Sequence, residues 1–366
     1  MTSSGDDRSR ALARRLRAHG LDRRSAEDDV AVVGCGFQDA GEGTAPASLA
    51  LRVGADALVD ADDPAGAPLD RRWAVAMTLR GVPHLHRRAD LPSLRAAMAT
   101  TDRDDLEAVC GPLPDGVDDV EDTVGEVAAA LQEAIGEGDR TKAELSRAGS
   151  AGLRPVLVPH CERCGTAHVI DGLFRLATLR AGLELVAGAR TQTFRRWRDV
   201  TDDPGPEPPH PRTVAAARTR LVGAATASAA PWDRDQLAAW IGWHPRSVVA
   251  AMEGDGTPPP RSRSLRRHAR LLPARDPWLR GSDRDLLLGR HADRRGDVFR
   301  SLGAPGVVLV DGEVVGTWRQ RKAGRRLRVE LDAWRRLTAD DRDELDEDAA
   351  VVARARGLAP PDGIAG

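Results

Sequence analysis

The stretch Gly306–Leu331, GVVLVDGEVVGTWRQRKAGRRLRVEL, reads as a short β-meander. Alternating Val and Leu runs are interrupted at Asp311-Gly312 and at Ala323-Gly324, the residue pairs that favour tight hairpin turns. The second turn is flanked by Arg319, Arg321, Lys322, Arg325, Arg326 and Arg328. A hairpin with this density of cations repels itself unless anions face it. Phosphate is the common partner, because each neutralised phosphate releases condensed counterions. The competing reading is a solvated basic hairpin with no partner.

Composition sets the outer limits. The chain has 366 residues, a formal net charge of −2 and 41% hydrophobic residues, enough to build cores and too many for a disordered chain. The near-neutral total hides a polarised distribution: acids dominate Asp102–Glu144, and arginines dominate Arg261–Arg300 and the hairpin. Such polarity steers one face toward an anionic partner. Lys142 and Lys322 are the only lysines and Tyr is absent, a bias expected of a GC-rich genome, so arginine in place of lysine carries little functional weight. The N-terminus lacks the apolar core of a signal peptide, and no apolar run reaches the roughly 20 residues of a membrane span. A cytoplasmic location is expected. Four cysteines in a chain of this length do not form a disulfide framework.

Periodicity predicts helices over Ser9–Leu21, Ala47–Leu58 and Leu91–Met98, the last capped by Asp90. Trp73–Leu79 is short and apolar, which favours a strand, and Arg80–His86 reads as a loop behind it. Thr123–Ile135 is an amphipathic helix, followed by a tight turn, a second helix at Thr141–Arg147 and an extended Leu153–Val158, the rhythm of a helix-turn-helix with a strand. Further helices are expected at Gly172–Ala181, Thr213–Val222, Asp233–Ile241, Pro245–Met252 and Asp340–Arg356. The Pro-rich 202–211 stretch marks a boundary.

These segments together resemble a bacterial winged-helix DNA-binding family that includes glycosylases of alkylated and interstrand-crosslinked DNA. The matching motifs are Gly36-Phe37-Gln38-Asp39, Leu79-Arg80-Gly81-Val82-Pro83-His84, Thr141 to Ser146, Cys161 to Val169, Ala239 to Trp243, Arg270 to Pro273, Asp276 to Leu279 and the basic hairpin. They run in order over roughly residues 10–355. The resemblance implies an α+β fold of tandem winged-helix units closed by a small C-terminal β-barrel, with duplex DNA on a concave face. The division expected is a first unit over 8–100, a second over 101–200, a third over 201–275, and a barrel with basic hairpin and terminal helix over 276–356. In glycosylase members a Gln-x-Gln or Gln-x-Asp pair lies against the lesion and positions the attacking water. Gln38 matches the first position; the second falls on Ala40, and Asp39 is one residue early.

Four constellations follow. Gln38 and Asp39 place an amide beside a carboxylate, able to activate water at an anomeric carbon, or else form an ordinary polar turn. Arg80, His84 and His86 can grip phosphate or a purine edge, or hydrogen-bond backbone carbonyls. His160, Cys161, Cys164 and His168 contain the Cys-x2-Cys spacing of a zinc knuckle, or are reduced cysteines packing a turn beside exposed histidines. Arg261, Arg263 and Arg266 sit where a wing would meet DNA, as Arg319, Arg321, Lys322, Arg325 and Arg326 do on the hairpin. The expectation is therefore a monomeric double-stranded-DNA-binding protein with no membrane association and no required cofactor, though with room for a structural zinc. It either excises alkylated bases as a repair glycosylase or binds DNA without catalysis.

Overall fold

The structure is a computed structural model that describes residues 3–22, 30–58, 72–100, 102–198, 207–229, 233–253, 268–281 and 283–364. Two compact units divide the chain: Met1–Asp70, Ala224–Trp232 and Thr257–Gly366 form the first, Arg71–Gly223 and Asp233–Gly256 the second. Elements are numbered along the chain.

The first unit contains α1 (Ser3–Ala18), the two-residue strand β1 (Phe37–Gln38), α2 (Thr44–Val53), β9 (Ala269–Leu272), α11 (Arg284–Leu288), α12 (Arg295–Val298), β10 (Gly306–Val310), β11 (Glu313–Ala323), β12 (Arg326–Ala333) and α13 (Ala339–Ala355). The meander forms as the sequence predicts. Asp311 and Gly312 turn β10 into β11 with φ of 54° and 82°, and Gly324 turns β11 into β12 with φ of 62°. Both turns thus use the positive-φ residues that match the twist of antiparallel strands.

The sheet is not a closed barrel. Its four strands lie in the order β12-β11-β10-β9 and remain open. Closure is replaced by edge cover. On β9, the outward N–H groups of Ala269 and Leu271 donate to Glu344 (2.5 Å) and Asp348 (2.9 Å), two α13 carboxylates one helical turn apart. Asp348 also pairs with the buried Arg270 at 3.4 Å. On the opposite edge, Leu327 N–H donates to Ala359 O, and Ala359 N–H to Arg325 O. The core packs Leu271, Val307, Leu309, Val314, Trp318 and Val329 against Leu345 and Val352 of α13 and Leu12 and Leu16 of α1.

A buried ion pair fixes the N-terminal elements to this sheet region. Arg52 in the last turn of α2 donates to both carboxylate oxygens of Asp276 at 3.0 and 2.8 Å, with both side chains fully buried. Its guanidinium lies 5.1 Å from the Phe37 ring centroid. Asp276 also accepts from Trp278 N–H at 2.9 Å.

The second unit contains β2 (Trp73–Met77), β3 (Pro83–Arg87), α3 (Leu91–Met98), α4 (Arg103–Cys110), α5 (Val120–Ile135), β4 (Arg140–Thr141), α6 (Lys142–Ser150), β5 (His160–Cys161), β6 (Thr166–Ala167), α7 (Asp171–Arg180), β7 (Leu183–Leu185), β8 (Thr193–Arg196), most of α8 (Pro211–Ala229), α9 (Arg234–Ile241) and α10 (Pro245–Met252). Five of these strands join in the order β3-β2-β7-β8-β4. The helices α5, α6 and α7 stand where periodicity puts them, and Thr141 closes a reciprocal capping box with Glu144 at the start of α6.

Three expectations are corrected. Arg80–His86 is not a loop throughout, because residues 83–87 form β3, paired antiparallel with β2 from Trp73↔Arg87 to Met77↔Pro83. Leu153–Val158 is not a strand: Pro155–Leu157 is a 3-10 turn, started by a proline whose fixed φ suits a first helical position. Asp90 precedes α3 but makes no side-chain capping bond, since a 3-10 turn over 88–90 already leads into the helix. Much of the acidic segment is capping chemistry. Asp102 and Asp119 accept the N–H groups of Asp104 and Asp122 at the starts of α4 and α5. The buried Asp105 accepts from His244 N–H, the Ser247 hydroxyl and Arg218. Trp240 and Trp243 are core residues, each 6% exposed.

Replacing Asp276 with Ala strands the Arg52 guanidinium in a dry site, so Asp276→Ala is expected to lower stability by about 3–5 kcal/mol. The loss should appear as a lower midpoint in urea denaturation.

Candidate active site

A pocket of about 630 Å³ in the first unit brings together residues far apart in sequence. One wall is the segment after β1, which contributes Gln38, Ala40, Gly41, Glu42 and Thr44. A second wall is Pro273-Ala274-Arg275 after β9. A third is Ser301–Gly306 before β10, and the fourth is Trp318–Arg321 on β11. Gln38 and the base of the basic hairpin therefore share one cleft.

The local backbone explains which side chains face it. Gln38 ends a strand, and in extended chain alternate residues share a side. Gln38 and Ala40 line the pocket accordingly, and Asp39 does not. Asp39 Oδ1 instead accepts the N–H of Gly41 at 3.0 Å, while Ala40 N–H donates to Thr44 Oγ1 at 2.9 Å. Burial pushes the Asp39 carboxyl above its ordinary range, partly opposed by its bonds to Gly41 and Thr44. The acidic residue among those lining the pocket is Glu42, exposed and within electrostatic reach of Arg356, and the sequence motifs did not single it out. It sits between Gly41 (φ 85°) and Gly43 (φ 72°) with its own φ at 52°, in the left-handed region that costs non-glycine residues energy. Arg275, at φ 65°, is likewise strained and lines the opposite wall.

Trp318 forms the buried floor. Its indole lies over Gly306, where any Cβ would collide with it, and donates to Leu272 O at 2.8 Å. Above it the hairpin is cationic. Cross-strand register sets Arg321 directly opposite Arg328 and Arg319 opposite Glu330. Like charges facing each other across a ladder are destabilising. The Arg321–Glu330 contact at 3.6 Å is exposed and offsets little of this. Arg326 pairs with Asp362 and with Pro360 O. Lys322, Arg325 and Arg328 are exposed at and near the turn. Arg261, Arg263 and Arg266 lie outside the described residues.

The remaining predicted residues are in the second unit. Arg80, at φ 57°, donates to Trp240 O and, at 3.3 Å, to Nε2 of His84. His84 donates from Nδ1 to Val82 O at 2.9 Å, and its side chain is buried. His86 is 1% exposed, with Nε2 2.9 Å from Thr78 Oγ1. Neither imidazole is at the surface in this conformation. Burial holds the His86 pKa down to about 3.

Cys161, Cys164 and His168 converge at the β5–β6 hairpin, while His160 is not part of the cluster. The Cys161 thiol is lowered to about 7, first by the backbone N–H of Cys164 and then by His168. Cys35 and Cys110 are elsewhere; burial pushes both thiols up, that of Cys110 to about 12.

A model of the AlkZ-like DNA glycosylases matches residues 32–355, and the chain belongs to that family. Among solved structures it resembles the Streptomyces sahachiroi DNA glycosylase AlkZ, with 19% sequence identity, a TM-score of 0.64, and coverage of 96% of this chain and 97% of that one. No curated protein sequence matches the chain. Among the described residues no helix is long and apolar enough to cross a membrane.

The buried His86 carries a pH signature. Unfolded, it binds a proton below about pH 6.5; folded, it stays neutral down to about pH 3. Its contribution to stability is thus complete above about pH 6.5 and is lost as pH falls, by up to about 1.4 kcal/mol per pH unit. His86→Gln removes this dependence, so the fall in urea midpoint between about pH 7 and pH 5 should be smaller in the variant than in the parent.

Proposed function

We propose that this protein is a DNA-repair glycosylase that hydrolyses the N-glycosidic bond of alkylated purines in duplex DNA, working in the cytoplasm as a monomer. The observation that carries the reading is the single cleft joining Gln38 and Glu42 to Arg319 and Arg321. A glycosylase needs an accessible glycosidic bond, a placed water and grip on the flanking phosphates. Hydrolysis adds water across the bond: the water oxygen bonds to C1′, the C1′–N9 bond breaks, and the base departs. An N7-alkylated purine carries a positive charge in the nucleotide, so it leaves neutral without a proton donor. The proton lost by the water needs an acceptor.

In this proposal the Gln38 amide orients the water and the Glu42 carboxylate takes its proton, in place of the family's second motif position, which here is the inert Ala40. Asp39, turned into its own loop, has a supporting role. Arg319, Arg321, Lys322, Arg325 and Arg326 bind backbone phosphates. The order α5–β4–α6–α7–β7–β8, with β4, β8 and β7 adjacent, is that of a winged helix, and supports reading the second unit as a DNA-binding module. In that arrangement Arg80, His84 and His86 act by shaping the β2–β3 corner.

A second reading, DNA binding without catalysis, is favoured by Ala40 alone. The two separate cleanly on a duplex with one N7-methylguanine and its unmodified twin. We expect base release from the lesion only. Gln38→Ala and Glu42→Gln should each slow release by about 10²–10⁴-fold with duplex binding retained. Lesion-independent binding with no release by the parent protein would reject the glycosylase reading and leave the binder. Independently, the double variant Arg321→Ala/Arg325→Ala should flatten the log–log salt dependence of binding by about two, one for each lost phosphate contact.

A further inference from the structure

The β5–β6 hairpin is a nine-residue excursion, 160–168, between the 3-10 turn that follows α6 and the start of α7. It has two paired residues per strand, His160↔Ala167 and Cys161↔Thr166. None of its side chains is buried. A two-stranded hairpin of this size has no core to hold it and is at best marginal in water. Yet its turn is sharply defined. The N–H groups of Cys164 and Gly165 both donate to Cys161 O, at 3.1 and 2.8 Å, and Gly165 takes a φ of 64° that suits glycine.

That turn gathers Cys161, Cys164 and His168, whose ligand atoms lie within 4.8 Å of one another. Two sulfurs on a common zinc, each at about 2.3 Å, sit roughly 3.7 Å apart, so a small contraction completes the set. His168 is already oriented. Its Nδ1 lies 2.8 Å from Val169 O, a group that can only accept, so Nδ1 carries a proton and Nε2 is the nitrogen left to ligate once it is deprotonated. A ligating histidine held by a hydrogen bond at its other nitrogen is the usual arrangement in metal sites.

We propose that Cys161, Cys164 and His168 bind a zinc ion that staples this hairpin, taking the place of the missing core. Two thiolates and an imidazole favour zinc over the oxygen-seeking magnesium and calcium. No fourth His, Cys, Asp or Glu joins the cluster among the described residues, so the remaining tetrahedral position belongs to water or an exchangeable donor. His160 takes no part in it. The site is independent of the glycosylase reading and stands or falls without it.

The test is metal analysis of the full chain, purified under reducing conditions and reconstituted with zinc alone. The expected result is one zinc per chain after gel filtration. Replacement by cobalt(II) should give visible d–d bands and a near-ultraviolet thiolate charge-transfer band. Cys164→Ser and His168→Ala should lose both signals. In the parent protein, chelation should speed amide exchange across 160–168 while leaving the α5–α7 helices protected. Zinc-free protein after reconstitution, with the Cys161 and Cys164 thiols freely reactive or joined as a disulfide, would overturn the proposal whatever the variants do.

Discussion

The cleft depends on the fully buried pair of Arg52 and Asp276. Arg52 stacks on Phe37, the neighbour of Gln38, and its helix α2 begins at Thr44, which binds the backbone of Ala40. Asp276 follows directly on Pro273-Ala274-Arg275, the opposite wall. This bidentate contact joins the two walls, alongside the buried Arg270 donating to Leu51 O and the packing of α13 against both α2 and β9. A pair in a dry site is not an economical source of stability, because desolvating two charges costs nearly what their attraction returns. What it supplies is registry: no other side chain can sit there without leaving a charge stranded.

The balance of charge follows a similar logic. The acidic segment around 102–122 consists in good part of helix caps and of Asp105, committed to three donors within the protein. On the hairpin such internal use is partial: Arg326 meets Asp362 and Pro360 O, and Arg319 donates to Gly303 O at 3.4 Å, all at exposed positions. Register forces Arg321 against Arg328, and the acid that meets Arg321, Glu330, is exposed. Facing cations raise the local electrostatic energy of the hairpin, and a facing anion would lower it.

Local chemistry was legible in the sequence and assembly was not. Asp311-Gly312 and Ala323-Gly324 announce their turns because turn residues act over two or three positions. The Cys-x2-Cys…His cluster is readable for the same reason. β3 escaped notice because Pro83, His84 and His86 break the apolar pattern, although the imidazoles are in fact buried in the strand. β9 is hidden in the sequence because Ala269–Leu272 is too short to show a period. The closed barrel failed because nothing in a meander says whether its ends meet. Glu42 is not legible at all: the cleft it lines is closed by residues more than two hundred positions away, and only its place between two glycines hints at an unusual backbone.

The covered edges of the C-terminal sheet have a further consequence. Glu344 and Asp348 occupy the outward N–H groups of β9, and the Ala359 backbone engages the start of β12. The rest of β12 alternates Arg326, Arg328 and Glu330 outward, and charged side chains discourage another strand from pairing. Main-chain pairing at these edges is thus blocked on β9 and at the start of β12, and discouraged by charge along the rest of β12. What the sheet presents is therefore charged side chains more than an open strand edge.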